Sequence, residues 1–299
     1  MTKKKIERKE RQFGLLLLLP LFLIIFSFIF LPIIVALYIS FCKWNYKRPG
    51  EIGIFVGLDN YIKNIYSDYF INSLFATFKF TIPTILITFL AGLGIAILLN
   101  TEFRGRSIVR STLLIPWAIP SVSNAVIWEW AFDARFGWVN SILKTFGLID
   151  KNILWLSDPT LAIICIIYAQ IWKLLPFTSL VLLAALQTVP PSLLEAAKID
   201  GAGRWRIFKS ITFPWISTTA LIVVIMNTFW TFQAFDLVFN LTQGGPGNTT
   251  QILPYFIWLQ AFSWLDMGLG SSTSFILTII VFILTIIYIR SLYRGRMYA

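Results

Sequence analysis

The chain has 299 residues, of which 57% are hydrophobic and only 13% are charged. An average soluble domain carries about 25% charged residues, so a soluble fold of this size could not bury so much apolar surface. The net charge of +11 does not indicate a nucleic-acid binder, because the basic residues cluster at the ends of apolar runs. The sequence therefore predicts one all-α integral membrane domain.

Residues that carry enzyme chemistry are scarce. The chain has no histidine and two cysteines, Cys42 and Cys165, which excludes Ser-His-Asp and Cys-His mechanisms. No cluster has metal-ligand spacing, and no Gly-x4-Gly-Lys-Ser/Thr loop for nucleotide phosphates occurs. We therefore predict no catalytic residue, no metal site and no cofactor bound by this chain.

The first apolar run follows a basic start, a tail over residues 1–12 with six Lys and Arg. The run extends from Phe13 to Phe41 and is longer than the 7–15 residues of a cleavable signal core. No small-x-small cleavage site closes it. An uncleaved transmembrane helix is therefore predicted over 13–41, followed by an extracellular loop over 42–72.

Six runs reach the roughly 20 apolar residues that a membrane-spanning helix needs. Five of them form a predicted core over 73–289, and a second tail covers 290–299. Two shorter stretches, Trp138–Ile149 and Ile252–Trp264, are expected at the membrane interface because of their tryptophans. The six predicted spans are Phe13–Phe41, Ser73–Leu99, Ile108–Phe132, Leu161–Val189, Ser217–Phe239 and Gly268–Ile289.

Small residues and prolines interrupt the apolar runs. In the second span, Gly92 and Ala96 lie four residues apart, which favours close helix packing. Four prolines fall inside the later predicted spans and are expected to kink or interrupt them. Whether such kinks serve gating stays open at this stage, since prolines are common in membrane bundles. They are Pro83, Pro116, Pro120 and Pro176.

Basic residues fix the predicted orientation. With the N-terminus inside, 16 Lys and Arg fall on the inner side and 7 on the outer side. This asymmetry predicts both termini in the cytoplasm, by the positive-inside rule. It also places the polar loop over 190–214 in the cytoplasm.

That loop has a helix-turn-helix pattern. Pro190 and Pro191 begin it, as prolines often begin a helix, and Gly201 breaks the first helix. A second helix is predicted over Arg204–Ile211, ending at Pro214.

The spacing within this loop carries a family resemblance. Glu195-Ala196-Ala197 is followed by Gly201 four residues later and by Pro214 thirteen residues beyond. This pattern resembles the EAA signature of permease subunits in binding-protein-dependent ABC importers. The resemblance implies a type I ABC importer permease fold and a coupling helix that fits a cleft of a separate ATPase.

In that interpretation Glu195 pairs with a basic group of the ATPase, and Gly201 supplies the turn. Without the spacing match, a solvated cytoplasmic hairpin would be the preferred interpretation. The predicted ATPase-coupling residues are Glu195, Ala196, Ala197, Asp200, Gly201, Arg204 and Pro214.

Other segments resemble the sugar-importing, maltose-type branch of these permeases. They include Phe55–Tyr61, Phe103–Arg106, Ile171–Lys173, Phe235–Asp236 and Leu241–Pro246. The best-known member has extra N-terminal spans and a large outer domain, whereas this chain is similar to the compact six-span form. Maltose is therefore not carried over as the substrate.

The resemblance also implies partners and a location. They are a second homologous permease subunit, an ATPase dimer that binds ATP and Mg, and an extracellular or periplasmic solute-binding protein. The surroundings are the lipid bilayer of the plasma (inner) membrane, and no nucleic acid is involved.

Polar residues inside the spans indicate a substrate route. An ionised side chain costs about 2.5–3.5 kcal/mol at the membrane centre, so each such residue is either a structural ion pair or part of a pathway. Sugars present C–H faces and hydroxyl rims, which suit aromatic rings with amides and carboxylates, although aromatics also pack and anchor helices. The candidate pathway residues are Glu129, Gln170, Lys173, Asn227, Trp230, Gln233 and Asp236.

The predicted function is therefore the permease subunit of an ATP-driven importer of a sugar or oligosaccharide. The alternative is a secondary transporter driven by an ion gradient, with Lys173 and Asp236 as coupling residues. That alternative leaves the cytoplasmic docking loop unexplained.

Overall fold

The computed structural model describes the backbone over residues 3–296 and the side chains over 13–290. The side chains of the two predicted tails, apart from Arg290, lie outside the described residues. A two-stranded antiparallel ribbon pairs β1 (Cys42–Lys43) with β2 (Ile54–Phe55). The described α-helices are α1 (Lys3–Ile25), α2 (Leu31–Ser40), α3 (Asp59–Ile65), α4 (Asp68–Asn100), α5 (Arg106–Leu113), α6 (Ile115–Ala118), α7 (Ser121–Ala131), α8 (Trp138–Thr145), α9 (Pro159–Leu186), α10 (Pro191–Ile199), α11 (Arg204–Ile207), α12 (Phe213–Phe232), α13 (Phe235–Leu241), α14 (Leu253–Trp258) and α15 (Met267–Arg296).

Five helical stretches within the described residues are long and apolar enough to cross a membrane. They coincide with five of the six predicted spans and agree with the predicted all-α membrane fold. Their starts and ends differ from the predicted ones by a few residues, except in the fourth stretch, where both the start and the end differ more. The stretches are Phe13–Ser40, Asp68–Asn100, Pro159–Leu186, Arg204–Phe232 and Met267–Arg290.

The predicted third span, over 108–132, is not one continuous helix. It is divided into α5, α6 and α7. Ile119 adopts an extended conformation immediately before Pro120, because a proline disfavours the helical conformation of the residue before it. A membrane crossing by these three short helices together, and hence the sixth crossing, stays a prediction.

The predicted end of the second cytoplasmic helix at Pro214 is wrong. The chain stays helical from Arg204 to Phe232 and passes through a π-helical turn, Phe208–Thr212, directly before the proline. Phe213 N–H bonds to the Phe208 carbonyl. The wider turn gives Pro214 a place near the start of α12, where its missing N–H is tolerated.

The predicted fifth span ends earlier than expected. Helix α12 stops at Phe232, and α13 restarts at Phe235. The two residues between them, Gln233 and Ala234, leave the helical conformation, and Phe235 N–H bonds to the Gln233 carbonyl at 2.7 Å. The helix is therefore interrupted two residues before Asp236.

The chain divides into two compact units. One contains the described residues up to Tyr66 together with Ile257–Ile276, and the other contains Ser67–Phe256 and the described residues from Leu277 onwards. In the first unit a buried amide network fixes α3: Gln260 Nε2 donates to Asn64 Oδ1 at 2.7 Å, and Thr273 Oγ1 donates to Gln260 Oε1 at 2.6 Å.

The second unit is built around α4, α9 and α12, which pack against one another. Helix α9 begins with Pro159, and the Asp158 carboxylate accepts hydrogen bonds from the N–H groups of Thr160 and Leu161, as expected of a capped helix start. The shared core consists mostly of leucine, alanine and valine. Its buried residues are Leu93, Ala96, Leu99, Leu182, Leu183, Ala185, Leu186, Val189, Ile216, Ala220 and Val223.

Candidate functional site

A cavity of about 430 Å³ lies in the second unit, among α6, α7, α9, α12 and α13. Its size falls within the range of small-ligand pockets. Five of the seven predicted pathway residues line it, and they come from α9, α12, α13 and the break between the last two. They are Gln170, Lys173, Trp230, Gln233 and Asp236.

The break between α12 and α13 explains how these residues meet. Trp230 lies in the last turn of α12, Gln233 lies in the break, and Asp236 lies in the first turn of α13. All three line the cavity. In a straight helix, residues 230, 233 and 236 would be spread over almost two turns, whereas here they lie before, within and after a break.

The two charged residues of the cavity are not joined directly. Lys173 Nζ donates to Ser121 Oγ at 2.6 Å. Within residues 13–290 the ion pairs are Lys43–Glu51 and Lys63–Asp59, so Lys173 and Asp236 are not an ion pair. The wall of the cavity therefore presents both an ammonium, which Ser121 holds, and a carboxylate.

The aromatic part of the wall is held by ring packing. Phe177 contacts Trp230 edge-on, with ring centroids 4.7 Å apart, and stacks on Trp117 at 6.3 Å. Trp117 and Trp230 both line the cavity. Two indole rings beside amides and a carboxylate suit a ligand with C–H faces and hydroxyl groups.

The other two predicted pathway residues lie elsewhere. Glu129 is exposed near the end of α7 and is not a cavity-lining residue. Asn227 is fully buried and donates from Nδ2 to Thr178 Oγ1 at 2.8 Å, which joins α12 to α9.

The cavity residues that the sequence analysis did not select include Trp117, Ser121 and Asn124. Ser121 and Asn124 lie three residues apart in α7, directly after Pro120. Polar residues at helical spacing inside an apolar run share one face of a helix, and this signal could have identified them. No group of three or more His, Cys, Asp or Glu side chains among the described residues could hold a metal ion.

The coupling segment, residues 190–214, contains a well-defined helix end. Gly201 has φ +77°, its N–H bonds to the Lys198 carbonyl at 3.1 Å, and Ala202 N–H bonds to the Ala197 carbonyl at 2.9 Å. These two bonds with a left-handed glycine form a Schellman motif. Gly201 therefore sets the direction in which the chain leaves α10.

The surface of the coupling segment is mixed in character. Of the predicted coupling residues, Ala197 is buried against its own chain and the other six are exposed. Two large apolar side chains beside the turn, which the sequence analysis did not single out, are also solvent-accessible: Ile199 is 86% exposed and Trp205 73% exposed. The exposed predicted residues are Glu195, Ala196, Asp200, Gly201, Arg204 and Pro214.

The coupling segment is also attached to the helical core. Leu194 on α10 and Phe208 in the π-helical turn pack against the core cluster of α4, α9 and α12. Phe208 stacks on Trp205, with ring centroids 5.7 Å apart. The segment is therefore in contact with α9 and α12, which also line the cavity.

The chain is similar to known transport proteins over most of its length. A family model for the binding-protein-dependent transport system inner membrane component matches residues 88–295. The trehalose/maltose transport system permease protein MalF of Thermococcus litoralis is 35% identical over 289 residues, covering 96% of this chain and 95% of that protein. The sulfoquinovosyl glycerol transport system permease protein SmoG of Agrobacterium fabrum is 34% identical, covering 94% and 90%.

Solved structures share the fold. In a crystal structure of a bacterial ABC transporter involved in the import of the acidic polysaccharide alginate, one chain gives a TM-score of 0.80 at 22% identity, covering 98% of this chain and 97% of that one. In the complex of the alginate transporter with an alginate pentasaccharide-bound periplasmic protein, the TM-score is 0.77 at 21% identity, covering 95% and 94%. The predicted importer permease fold is confirmed.

Proposed function

The chain belongs to the family of binding-protein-dependent transport system inner membrane components, and from this membership we propose that it carries a saccharide through the membrane in an ATP-driven importer. The observation that carries the proposal is the cavity, in which Gln170, Lys173, Trp230, Gln233 and Asp236 converge. Indole faces can pack on the C–H face of a sugar ring, and the amides and charged groups can bond its hydroxyls. The names of the MalF and SmoG relatives favour a saccharide over other solutes.

The energy for transport comes from a partner in this proposal. The coupling segment docks on a separate ATPase dimer, which binds ATP and Mg, and Ile199 and Trp205 add apolar contacts to the Glu195–Gly201 turn. Leu194 and Phe208, packed on the core, convey the resulting movement to α9 and α12. Rigid-body movement of packed helices around a fixed site is a common basis of alternating access.

The remaining partners follow from the same family. A second homologous permease subunit completes the pathway, and an extracellular or periplasmic solute-binding protein delivers the saccharide. The complex lies in the plasma (inner) membrane with six crossings and both termini in the cytoplasm. In this arrangement the chain is a transport subunit and not an enzyme.

The proposal is tested by uptake into proteoliposomes that contain this chain, its partner permease and the ATPase, with the binding protein outside. We expect ATP-dependent uptake of a saccharide, and a loss of uptake of at least about tenfold in Trp230→Ala, as for a buried aromatic contact. Uptake by this chain alone, driven by an ion gradient, would establish the secondary-transporter alternative instead.

A second measurement tests the docking surface. Trp205→Ala should weaken co-purification of the ATPase, since exposed tryptophans are frequent binding hot spots worth about 2 kcal/mol or more. The matched control is Phe146→Ala, a residue 75% exposed that lies on the predicted outer side. If both variants retain the ATPase equally well, Trp205 is not part of the docking surface.

A further inference from the structure

Asn124 is a buried cavity residue with one unsatisfied amide atom. Its side chain is 1% exposed and lines the cavity. Nδ2 donates to the Ala169 carbonyl at 3.4 Å, whereas Oδ1 has no hydrogen-bond partner among the described residues. Leaving a buried acceptor unpaired costs free energy, and such atoms in native proteins call for a specific explanation.

Exchanging the two ends of the amide does not remove the problem. It would place the Asn124 oxygen against the Ala169 carbonyl oxygen, so that two acceptors would face each other. The present orientation is therefore the one that the neighbouring helix selects. It is held only weakly, because 3.4 Å lies beyond the usual range of N–H···O bonds.

A ligand can reach the oxygen by a small movement. The last side-chain torsion of asparagine has a broad energy profile, so rotation of the amide towards the cavity costs little beyond that one long hydrogen bond. Lys173 does not provide the missing donor in this structure. Its ammonium donates to Ser121 Oγ at 2.6 Å, one turn earlier on α7, and none of its hydrogen bonds reaches Asn124 Oδ1.

We propose that Asn124 is a specificity-determining residue of the cavity, whose Oδ1 accepts a hydrogen bond from one hydroxyl group of the bound saccharide. This inference rests on the proposed transport of a saccharide. A hydroxyl both donates and accepts, whereas an ether oxygen or an ionised carboxylate only accepts. Asn124 therefore favours a ligand with a free hydroxyl at that position over its deoxy, O-alkylated or carboxylate analogues.

The experiment uses the complete complex in proteoliposomes and a panel of disaccharides that includes maltose and trehalose. The saccharide that is carried is then compared with its monodeoxy analogues as competitors. In the wild type one analogue should compete at least about tenfold more weakly than the parent, because a site built to bond a hydroxyl rejects ligands that lack it. In Asn124→Leu, the affinity for the parent should fall to that for this analogue, and the difference between them should disappear.

Thermal stability separates this role from a structural one. Leucine has a shape similar to that of asparagine and no polar atom, so Asn124→Leu removes the unpaired acceptor, and its Tm should equal or exceed that of the wild type. The control is Val126→Ala, at an exposed position of the same helix, which should keep the preference for the parent saccharide.

Two results would overturn the inference while leaving saccharide transport in place. One is that Asn124→Leu retains the full difference between the parent and the deoxy analogue. The other is that it lowers Tm and weakens every competitor by the same factor. If the wild-type complex carries neither these disaccharides nor any monosaccharide or longer oligosaccharide, the proposed function fails and this inference fails with it.

Discussion

Gly92 shows how a single missing methyl group controls the packing of α4 on α9. A β-carbon at this position would lie 2.5 Å from Thr178 Cγ2. Thr178 cannot easily turn away, because its hydroxyl donates to the Leu174 carbonyl and accepts from Asn227 Nδ2, and β-branched side chains have few rotamers in a helix. Gly92 on α4 and Asn227 on α12 thus both lie against Thr178 of α9.

Gly92→Ala should therefore destabilise the protein by about 1–3 kcal/mol, as overpacking of a filled interface does. Gly94 provides the matched control, because a β-carbon there would meet nothing within 4 Å. Gly94→Ala should be neutral or stabilise the helix by up to about 1 kcal/mol. Thermal unfolding in detergent measures both, and equal Tm values would contradict the assigned contact.

Gly244 is a second position where a side chain would not fit. It has φ +78°, and an added β-carbon would lie 2.7 Å from Tyr255 Cε1. The loop is also tied by Thr250 Oγ1, which donates to the Gly245 carbonyl at 2.7 Å, and by Gln251 Nε2, which donates to Ser73 Oγ at 2.9 Å. These contacts explain the Gly-Gly-Pro sequence as a tight turn fastened to α4.

At the level of elements, α10 and its glycine turn form the part of the molecule that meets the ATPase in the proposed function. The direction of the chain after α10 depends on the left-handed conformation of Gly201, with φ +77°. Other residues adopt this conformation at a cost of about 1–2 kcal/mol. The same segment contains Gly203, whose φ of −67° any residue can adopt.

Gly201→Ala and Gly203→Ala are therefore a matched pair, since neither added methyl group would meet an atom within 4 Å. The first should reduce co-purification of the ATPase and ATP-driven uptake several-fold, because it strains the turn. The second should leave both near wild-type values. If Gly201→Ala binds the ATPase as well as Gly203→Ala does, the turn does not set the docking geometry.

The long helices could be predicted from the sequence because a run of about 20 apolar residues has few alternatives to a membrane helix. The sequence predicted the ends and interruptions of these helices less well. Pro214 was expected to end a helix, but a π-helical turn before it keeps the chain helical. The break at Gln233 and Ala234 has no proline or glycine, so no local signal marked it.

The sequence predicted only part of the cavity lining. Intramembrane polarity selected Gln170, Lys173 and Asp236, which line it. The same criterion selected Asn227, which instead bonds Thr178, because polarity does not reveal which neighbour a side chain meets. Asn124 also lies inside a predicted span, Ile108–Phe132, and was missed although the same criterion could have selected it.

At the scale of the whole molecule, the number of membrane crossings depends on that interrupted run. If α5, α6 and α7 together cross the bilayer, the loops before and after them lie on opposite sides. Arg104 precedes this run and Arg135 follows it, and both are exposed. The excess of basic residues on the predicted inner side favours a crossing, because lysine and arginine are retained in the cytoplasm.

Single cysteines at Arg104 and Arg135, introduced after replacement of Cys42 and Cys165, test the crossing directly. In intact cells or spheroplasts, a membrane-impermeant maleimide should label Arg135→Cys from outside and should label Arg104→Cys only after the membrane is opened. Lys198→Cys, in the coupling segment, should behave like Arg104→Cys, since an ATPase must reach that segment from the cytoplasm. Labelling of both Arg positions from one side would show that the prolines turn the chain back, which would leave five crossings and place the two termini on opposite sides.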